Sequence, residues 1–283
     1  MPPKIDILYG TAWKQDETER LVKRAIETGF RGIDTACQPK HYNEAGVGAG
    51  IAACLNARLK RANLYIQTKF TPLSGQEPRQ IPYDAKASLA EQVAQSGALS
   101  LKNLRTDYLD CLILHSPLPD PHETFEVWRA MEQLVDSGIT RQLGISNCIR
   151  VEQLKAVCEI ARIQPAVLQN RFHADSDYDR RLREFCRERN ITYQSFWTLT
   201  ANPHLLAHET VHALARQHGR TPPQILFRYL TQIGVVPLTG TRSAVHMRQD
   251  LAIFDFELSA DECGSMETML YPPAGRDRRA SPR

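Results

Sequence analysis

Eight times along this chain, a short run rich in β-branched and aromatic residues is followed by a longer amphipathic segment, and that alternation limits the possible folds more than any other feature. The short runs fall at approximately 5–9, 30–34, 63–70, 108–114, 139–145, 166–170, 191–196 and 234–237. Parallel strands need long crossover connections, usually helices, so the pattern predicts a parallel sheet with a helix after each strand. The longer segments carry helical signals of their own. Leu21, Val22, Ala25 and Ile26 make one apolar stripe ahead of the stop residue Gly29, and Phe125, Trp128, Met131, Leu134 and Val135 make another ahead of Gly138.

Two architectures share this alternation, the closed barrel and the open doubly wound sheet. Eight units over 283 residues average about 35 residues each, which suits a barrel. An open sheet that binds a dinucleotide carries Gly-x-Gly-x-x-Gly directly after a strand, and no such motif occurs. Gly46-Val47-Gly48-Ala49-Gly50 lies instead in a predicted helix with no strand leading into it. No Gly/Ser-rich or Pro-rich linker divides the chain. The expected fold is therefore α/β, a (β/α)8 TIM barrel forming one domain over 1–283, with a mobile charged tail from about residue 272.

The composition fits, since 42% hydrophobic residues in a chain of this length can bury a large core. A formal charge of +3, with Lys and Arg spread along the chain, lacks the concentrated basic footprint of nucleic-acid binding. The seven cysteines have no paired or metal-like spacing, which suits reduced thiols in the cytoplasm. Met1 leads into Pro2-Pro3-Lys4 without a signal-like apolar stretch, and no later stretch is long enough to span a bilayer. The expectations are a cytoplasmic monomer, no nucleic-acid or membrane partner, and a small-molecule substrate.

In a parallel barrel the chemistry gathers where strands end. Asp34 closes the second run, Lys69 lies near the end of the third, His115 ends the fourth, and Tyr42 sits in the loop after the second. They form an acid, amine, imidazole and phenol set. Later strand ends offer Gly144-Ile145-Ser146-Asn147, Gln169-Asn170, Phe196-Trp197 and Pro237-Leu238-Thr239-Gly240-Thr241-Arg242. Taken singly, such residues are often only helix caps. Jointly they offer hydrogen bonds for a carboxamide, an aromatic face for a flat ring, and hydroxyls, amides and a cation for phosphate, as a nicotinamide dinucleotide needs.

Over nearly its whole length the chain resembles the aldo-keto reductase family. The matching stretches are Gly32-Ile33-Asp34-Thr35-Ala36, His41-Tyr42-Asn43-Glu44, Thr68-Lys69, Asp107-Tyr108-Leu109-Asp110 through His115-Ser116-Pro117, Gly144-Ile145-Ser146-Asn147, Gln169, and Phe254-Asp255-Phe256-Glu257-Leu258-Ser259. The resemblance implies a nicotinamide cofactor across the C-terminal face of a (β/α)8 barrel, and reversible reduction of aldehydes or ketones. It implies Ser146, Asn147 and Gln169 on the carboxamide, Phe196 under the nicotinamide ring, and Asp34 beside the ribose. Trp197, Thr198 and Leu199 continue that wall. Thr239, Gly240, Thr241 and Arg242 would face the adenosine phosphate, with His246, Gln249 and Asp250 further along the next helix. An arginine among hydroxyls suits a 2′-phosphate, so NADPH is expected, with NADH as the alternative. Several positions depart from the family pattern. The loop 37–41 ahead of Tyr42 is longer, Phe196 replaces a common tyrosine, and Trp197-Thr198 replaces Ser-Pro. Leu238 replaces a lysine, and His246 an arginine.

For the chemistry, hydride arriving at a carbonyl carbon builds negative charge on oxygen, which an acid must protonate. Tyr42 is the expected acid. Lys69 would lower the pKa of its phenol, Asp34 would hold Lys69, and His115 would orient the carbonyl. Trp13, Tyr42, His115 and Trp197 are expected around the substrate, with the loop 116–122 and the segment from Leu270 as further walls. Two other readings of the chain remain. One keeps the barrel as a non-catalytic nucleotide-binding redox sensor or partner subunit. The other takes His208-Glu209-Thr210-Val211-His212, followed by His218, as the H-E-x-x-H of a zinc hydrolase. Ala215 stands where that extended motif needs glycine, so the helix should continue and turn His218 about 120° from His212. No metal is expected.

Overall fold

Eight parallel strands close on one another in chain order, and the last pairs with the first. They are β1 (Leu8–Gly10), β2 (Gly32–Asp34), β3 (Tyr65–Phe70), β4 (Cys111–Leu114), β5 (Leu143–Ser146), β6 (Val167–Arg171), β7 (Thr192–Phe196) and β8 (Val235–Thr239). The architecture is the expected (β/α)8 barrel, here in a computed structural model that describes residues 5–272. Most strands begin a few residues later than the hydrophobic runs do, because those runs include the segments that lead into the sheet. All but the first residue of the expected mobile tail lies outside the described residues.

Successive strand side chains point to opposite faces, and this period of two sorts the chain into an interior and an outer layer. On β3 the inward set is Tyr65, Gln67 and Lys69; on β6 it is Val167, Gln169 and Arg171. Read from the base upward, the interior changes from apolar to polar. Leu8, Tyr65, Cys111, Ile113 and Val167 pack the lower part, and above them come Asp34, Gln67, Lys69, Gln169 and Gln194, each at most 3% exposed. The outward residues, among them Ile33, Ile66, Leu112, Ile145 and Leu168, join the larger core beneath the helices.

The crossover helices are α1 (Thr18–Thr28), α2 (Glu44–Ala52), α3 (Leu89–Leu104), α4 (Pro121–Asp136), α5 (Val151–Ile160) and α6 (Arg180–Glu188). Then come α7 (Pro203–Leu206), α8 (Glu209–His218), α9 (Pro222–Gln232), α10 (Ala244–Leu251) and α11 (Ala260–Leu270). α1 buries the predicted stripe Leu21, Val22, Ala25 and Ile26, each worth about 1.5–3 kcal/mol if large and fully buried, and ends at Gly29 with φ 130°. The glycines of α2 serve packing. A Cβ at Gly48 would lie 2.1 Å from the Asn103 carbonyl oxygen, so α2 and α3 touch through backbone. All seven cysteines are free thiols, six of them buried. Among the described residues no helix is long and apolar enough to cross a membrane.

Candidate active site

Asp34 is the electrostatic centre of the barrel mouth. Its Oδ1 accepts from Lys69 Nζ at 2.7 Å, Gln67 Nε2 at 2.6 Å and Gln169 Nε2 at 2.9 Å, and its Oδ2 accepts from Lys69 Nζ at 2.8 Å. Lys69 gives its remaining hydrogen to the Thr35 carbonyl at 2.8 Å. Gln194 completes the layer by accepting from Gln67 at 2.8 Å and Gln169 at 2.9 Å. A buried carboxylate and ammonium are tolerable only when paired and fully hydrogen-bonded, which this network achieves across β2, β3, β6 and β7.

Tyr42 and His115 stand over this layer. Tyr42 follows a loop whose turns are closed by backbone bonds from His41 and Tyr42 to Gln38 O at 3.1 and 3.0 Å, and Asn43 caps α2 through Gly46 N at 2.8 Å. The Tyr42 ring lies edge-on to His115, with centroids 6.1 Å apart, and Lys69 Nζ sits 5.3 Å from its centre. One expectation needs correction here. Burial first, and then the Asp34 charge, raise the Tyr42 pKa, where Lys69 was expected to lower it. All three ammonium hydrogens of Lys69 are committed to Asp34 and Thr35, so the cation is largely neutralised as seen from the phenol. Tyr42 therefore holds its proton firmly. Burial, helped by Lys69 and His41, pushes the His115 pKa down to about 3, so its imidazole is neutral at working pH.

Tyr42 and His115 open into a cavity of about 710 Å³ across the C-terminal ends of the strands, within the usual range of ligand sites. The structure brings every predicted site residue to its wall except Lys69, which lies one layer beneath and is 1% exposed. Ser146 and Asn147 form one edge. Asn147 takes a left-handed conformation, φ 53°, that asparagine tolerates, and its Nδ2 donates to His115 O at 2.8 Å. With its Nδ2 so used, and Gln169 Nε2 spent on Asp34 and Gln194, these two amides offer the cavity their carbonyl oxygens. Phe196, Trp197, Thr198 and Leu199 make the next wall.

The far end is β8 and the loop into α10. Thr239 donates to Asp250 Oδ2 at 2.7 Å, and burial raises the Asp250 pKa to about 6. Thr241 lies 3.5 Å from His246 Nδ1, and Gln249 accepts through its carbonyl from Gln224 at 2.9 Å. Arg242 is already engaged, with the Glu17 carboxylate and, at 2.6 Å, with Trp13 O. Trp13 and Trp197, at φ 62° and 56°, are held in the left-handed region with about half their surface exposed at the cavity rim. Such backbone conformations in bulky residues cost energy and cluster at binding sites. Trp13 is backed by the His41 ring at 3.9 Å, and Trp197 by the Arg171 guanidinium at 4.3 Å.

Two wall residues, Lys14 and Arg171, carry no strand-end signal in the sequence, and neither do Gln67 and Gln194 of the buried layer beneath the wall. Lys14 Nζ donates to Gly240 O at 2.7 Å, bringing a buried cation beside the end of β8. Its place next to Trp13, itself a predicted wall residue, was the available signal. The proline loop behaves differently from expectation. Pro117, Leu118, Pro119 and Pro121 line a separate cavity of about 320 Å³ against α5, because α4 begins at Pro121 and carries the loop outward. Tyr271, after Leu270, packs edge-on to Tyr178 and lies outside the main cavity wall.

The H-E-x-x-H stretch is built into a helix end. His208 is the N-cap of α8, accepting from Thr210 N at 3.2 Å; Glu209 pairs with Arg216 at 2.7 Å, and His218 with Glu262 at 2.9 Å. Three of the side chains that a zinc site would use, His208, Glu209 and His218, are thus held by other partners. Among the described residues, no group of three or more His, Cys, Asp or Glu could hold a metal ion.

Comparison with known proteins gives a consistent result. The model of the aldo/keto reductase family matches residues 7–270. An aldo-keto reductase from Mycobacterium leprae is 32% identical over 256 residues, covering 90% of this chain and 83% of that one. Glyoxal reductase from Bacillus subtilis is 30% identical over 268 residues, covering 94% and 87%. The crystal structure of a Bombyx mori aldo-keto reductase in complex with NADP superposes with a TM-score of 0.78 at 25% identity, covering 93% of this chain and 88% of that one.

Proposed function

This chain belongs to the aldo/keto reductase family, and from that membership and the geometry of its cavity we propose that it is an NADPH-dependent oxidoreductase reducing aldehydes or ketones to alcohols. The observation that carries the reading is the meeting of Tyr42, His115 and the buried Lys69–Asp34 pair at one wall of a cavity large enough for a dinucleotide and a small substrate.

The residues present fit a nicotinamide cofactor. Asn147 and Gln169 offer side-chain carbonyl acceptors to the carboxamide, Ser146, whose hydroxyl hydrogen goes to Gln169 O at 2.7 Å, offers its oxygen as an acceptor, and Phe196 offers a ring face to the nicotinamide. Trp197, Thr198 and Leu199 would flank the sugar-phosphate backbone. Thr239, Gly240, Thr241, Arg242 and the buried Lys14 would hold the phosphates, with His246, Gln249 and Asp250 toward the adenosine. Two cations at that end support NADPH over NADH. The bound cofactor supplies a hydride to the carbonyl carbon.

The chain's own residues then manage charge and protons. Tyr42 carries its proton on the phenol oxygen and releases it to the carbonyl oxygen as negative charge builds there. A raised phenol pKa is compatible with this role, because an alkoxide is a stronger base than a phenolate. Lys69 and Asp34 fix the local field without exchanging protons, and neutral His115 holds the carbonyl by a hydrogen bond. Trp13 and Trp197 give the substrate end an apolar aromatic rim, which suits apolar or aromatic carbonyl compounds. The enzyme is proposed to act as a cytoplasmic monomer. Tyr42→Phe removes the transferable proton and keeps the ring. It should bind NADPH with unchanged affinity, measured by fluorescence titration, and lose about 100-fold or more in turnover. Turnover close to that of the unaltered protein would remove Tyr42 from its assigned role.

A further inference from the structure

A neutral imidazole carries one N–H, so His115 can donate to a carbonyl oxygen only if the proton sits on the nitrogen that faces the cavity. The other nitrogen decides which it is. β3 and β4 are neighbours, in register at Phe70 and Leu114, and His115 N donates to Phe70 O at 2.9 Å. The residues that follow the two strands, Thr71 and His115, thereby come side by side. Thr71 Oγ1 lies 2.7 Å from His115 Nδ1.

Thr71 is held unusually firmly for a loop residue. It is 2% exposed, and its carbonyl accepts from Tyr83 Oη at 2.8 Å and Gln76 Nε2 at 3.1 Å. Its methyl group is tight against Gly75, where an added Cβ would lie 2.7 Å from Thr71 Cγ2. The β-branched side chain has little rotamer freedom in such a setting, so the hydroxyl stays on the imidazole.

Two proton arrangements fit a 2.7 Å contact. If Nδ1 carried the proton it would donate to Thr71, and the buried hydroxyl hydrogen would need another acceptor. Among the described residues Thr71 Oγ1 has no other hydrogen-bond partner. If the hydroxyl donates to Nδ1, both groups are satisfied and the ring proton sits on Nε2. Leaving a buried donor unpaired is costly enough to favour the second arrangement by roughly tenfold or more.

We propose that Thr71 is a positioning residue for carbonyl reduction: its hydroxyl donates to His115 Nδ1 and fixes the Nε2–H tautomer, so that the imidazole presents a donor to the carbonyl oxygen. Nε2, on the opposite side of the ring from Thr71, is left for the cavity that His115 lines. With the ring neutral at working pH, tautomer rather than charge is the property that needs setting. The proposal rests on the reductase reading above.

The test uses histidine-15N-labelled protein saturated with NADP⁺, with the His115 signals assigned by their loss in His115→Gln. The expected spectrum shows His115 Nδ1 without a proton and Nε2 protonated. In Thr71→Val, of the same shape without the donor, that pattern should give way to mixed or Nδ1–H character. Its kcat should fall about tenfold with KM and cofactor affinity nearly unchanged. Thr71→Ser should restore both tautomer and rate. An Nδ1–H tautomer in the unaltered protein would overturn the proposal. So would a Thr71→Val rate loss without a tautomer change, since that marks packing alone, or a variant unchanged in both. Failure of the reductase reading is separable, because it would appear as no carbonyl turnover in the unaltered protein.

Discussion

Lys14 and Asp34 differ sharply in how visible their roles are from sequence. Asp34, Tyr42, Lys69 and His115 carry recognisable chemistry at or just after strand ends, and could be chosen from residue type and position. Lys14 belongs to a polar stretch before α1, and reaches Gly240 only because β1 closes the barrel against β8. Gln67 and Gln194 look like ordinary polar residues of a strand until closure makes them partners of Asp34 and Gln169. The direction of the Tyr42 pKa shift is hidden for a related reason, since the sequence does not say how many of Lys69's hydrogens Asp34 will occupy. Lys14 gives a pH signature. Burial first, and then nearby Arg242, lower its pKa to about 8, so its charge fades as pH rises through that value. A phosphate bound beside it favours the protonated form. NADPH affinity, followed by fluorescence titration, should therefore weaken by roughly tenfold between pH 7.5 and 9.5. Lys14→Met should bind more weakly at pH 7.5 and show a flatter profile; the same slope in both proteins would exclude Lys14 from the phosphate site.

At the scale of elements, what was legible followed periodicity and what was missed depended on turns. The α1 stripe and its stop at Gly29 follow directly from sequence, as does the helical place of the glycine run in α2. The path of the proline loop does not, because its direction is set by where α4 begins. Motifs can also be structural. Asp110, next to the base of β4, accepts from Ile66 N at 2.9 Å and pairs with Arg61 at 2.8 Å, while Arg61 and Arg141 lie over the Tyr108 ring at 4.0 and 3.8 Å. This cluster joins β3 to β4 away from the cavity. Asp110→Ala leaves the Ile66 N–H unpaired and removes the counter-charge of Arg61, whose guanidinium keeps its bonds to Thr106, Leu64 O and Tyr108 O, and should cost about 3 kcal/mol, seen as a Tm lower by several degrees. Turnover per folded molecule at low temperature should be unchanged. A large loss of turnover without a change in Tm would contradict the structural assignment.

For the whole molecule, closure is what turns a sequence pattern into a site. Asp34 and Gln169 are 135 residues apart and hydrogen-bonded, and Lys14 and Gly240 are 226 apart. Eight units averaging about 35 residues, no divider and no Rossmann glycines are enough to expect the barrel, and the barrel rule is enough to expect chemistry at its C-terminal mouth. The rim of exposed Trp13 and Trp197, backed by His41 and Arg171, is proposed to select the carbonyl compound, and no periodicity encodes its arrangement. We propose that this mouth transfers hydride and does not merely bind a nucleotide as a sensor would. Stopped-flow mixing of the NADPH complex with a panel of aldehydes and ketones, following cofactor absorbance and identifying the alcohol formed, measures this directly. The expected result is loss of NADPH absorbance with an equal yield of alcohol for at least one apolar or aromatic carbonyl, abolished in Tyr42→Phe. Tight NADPH binding with no oxidation by any member of the panel would contradict the claim.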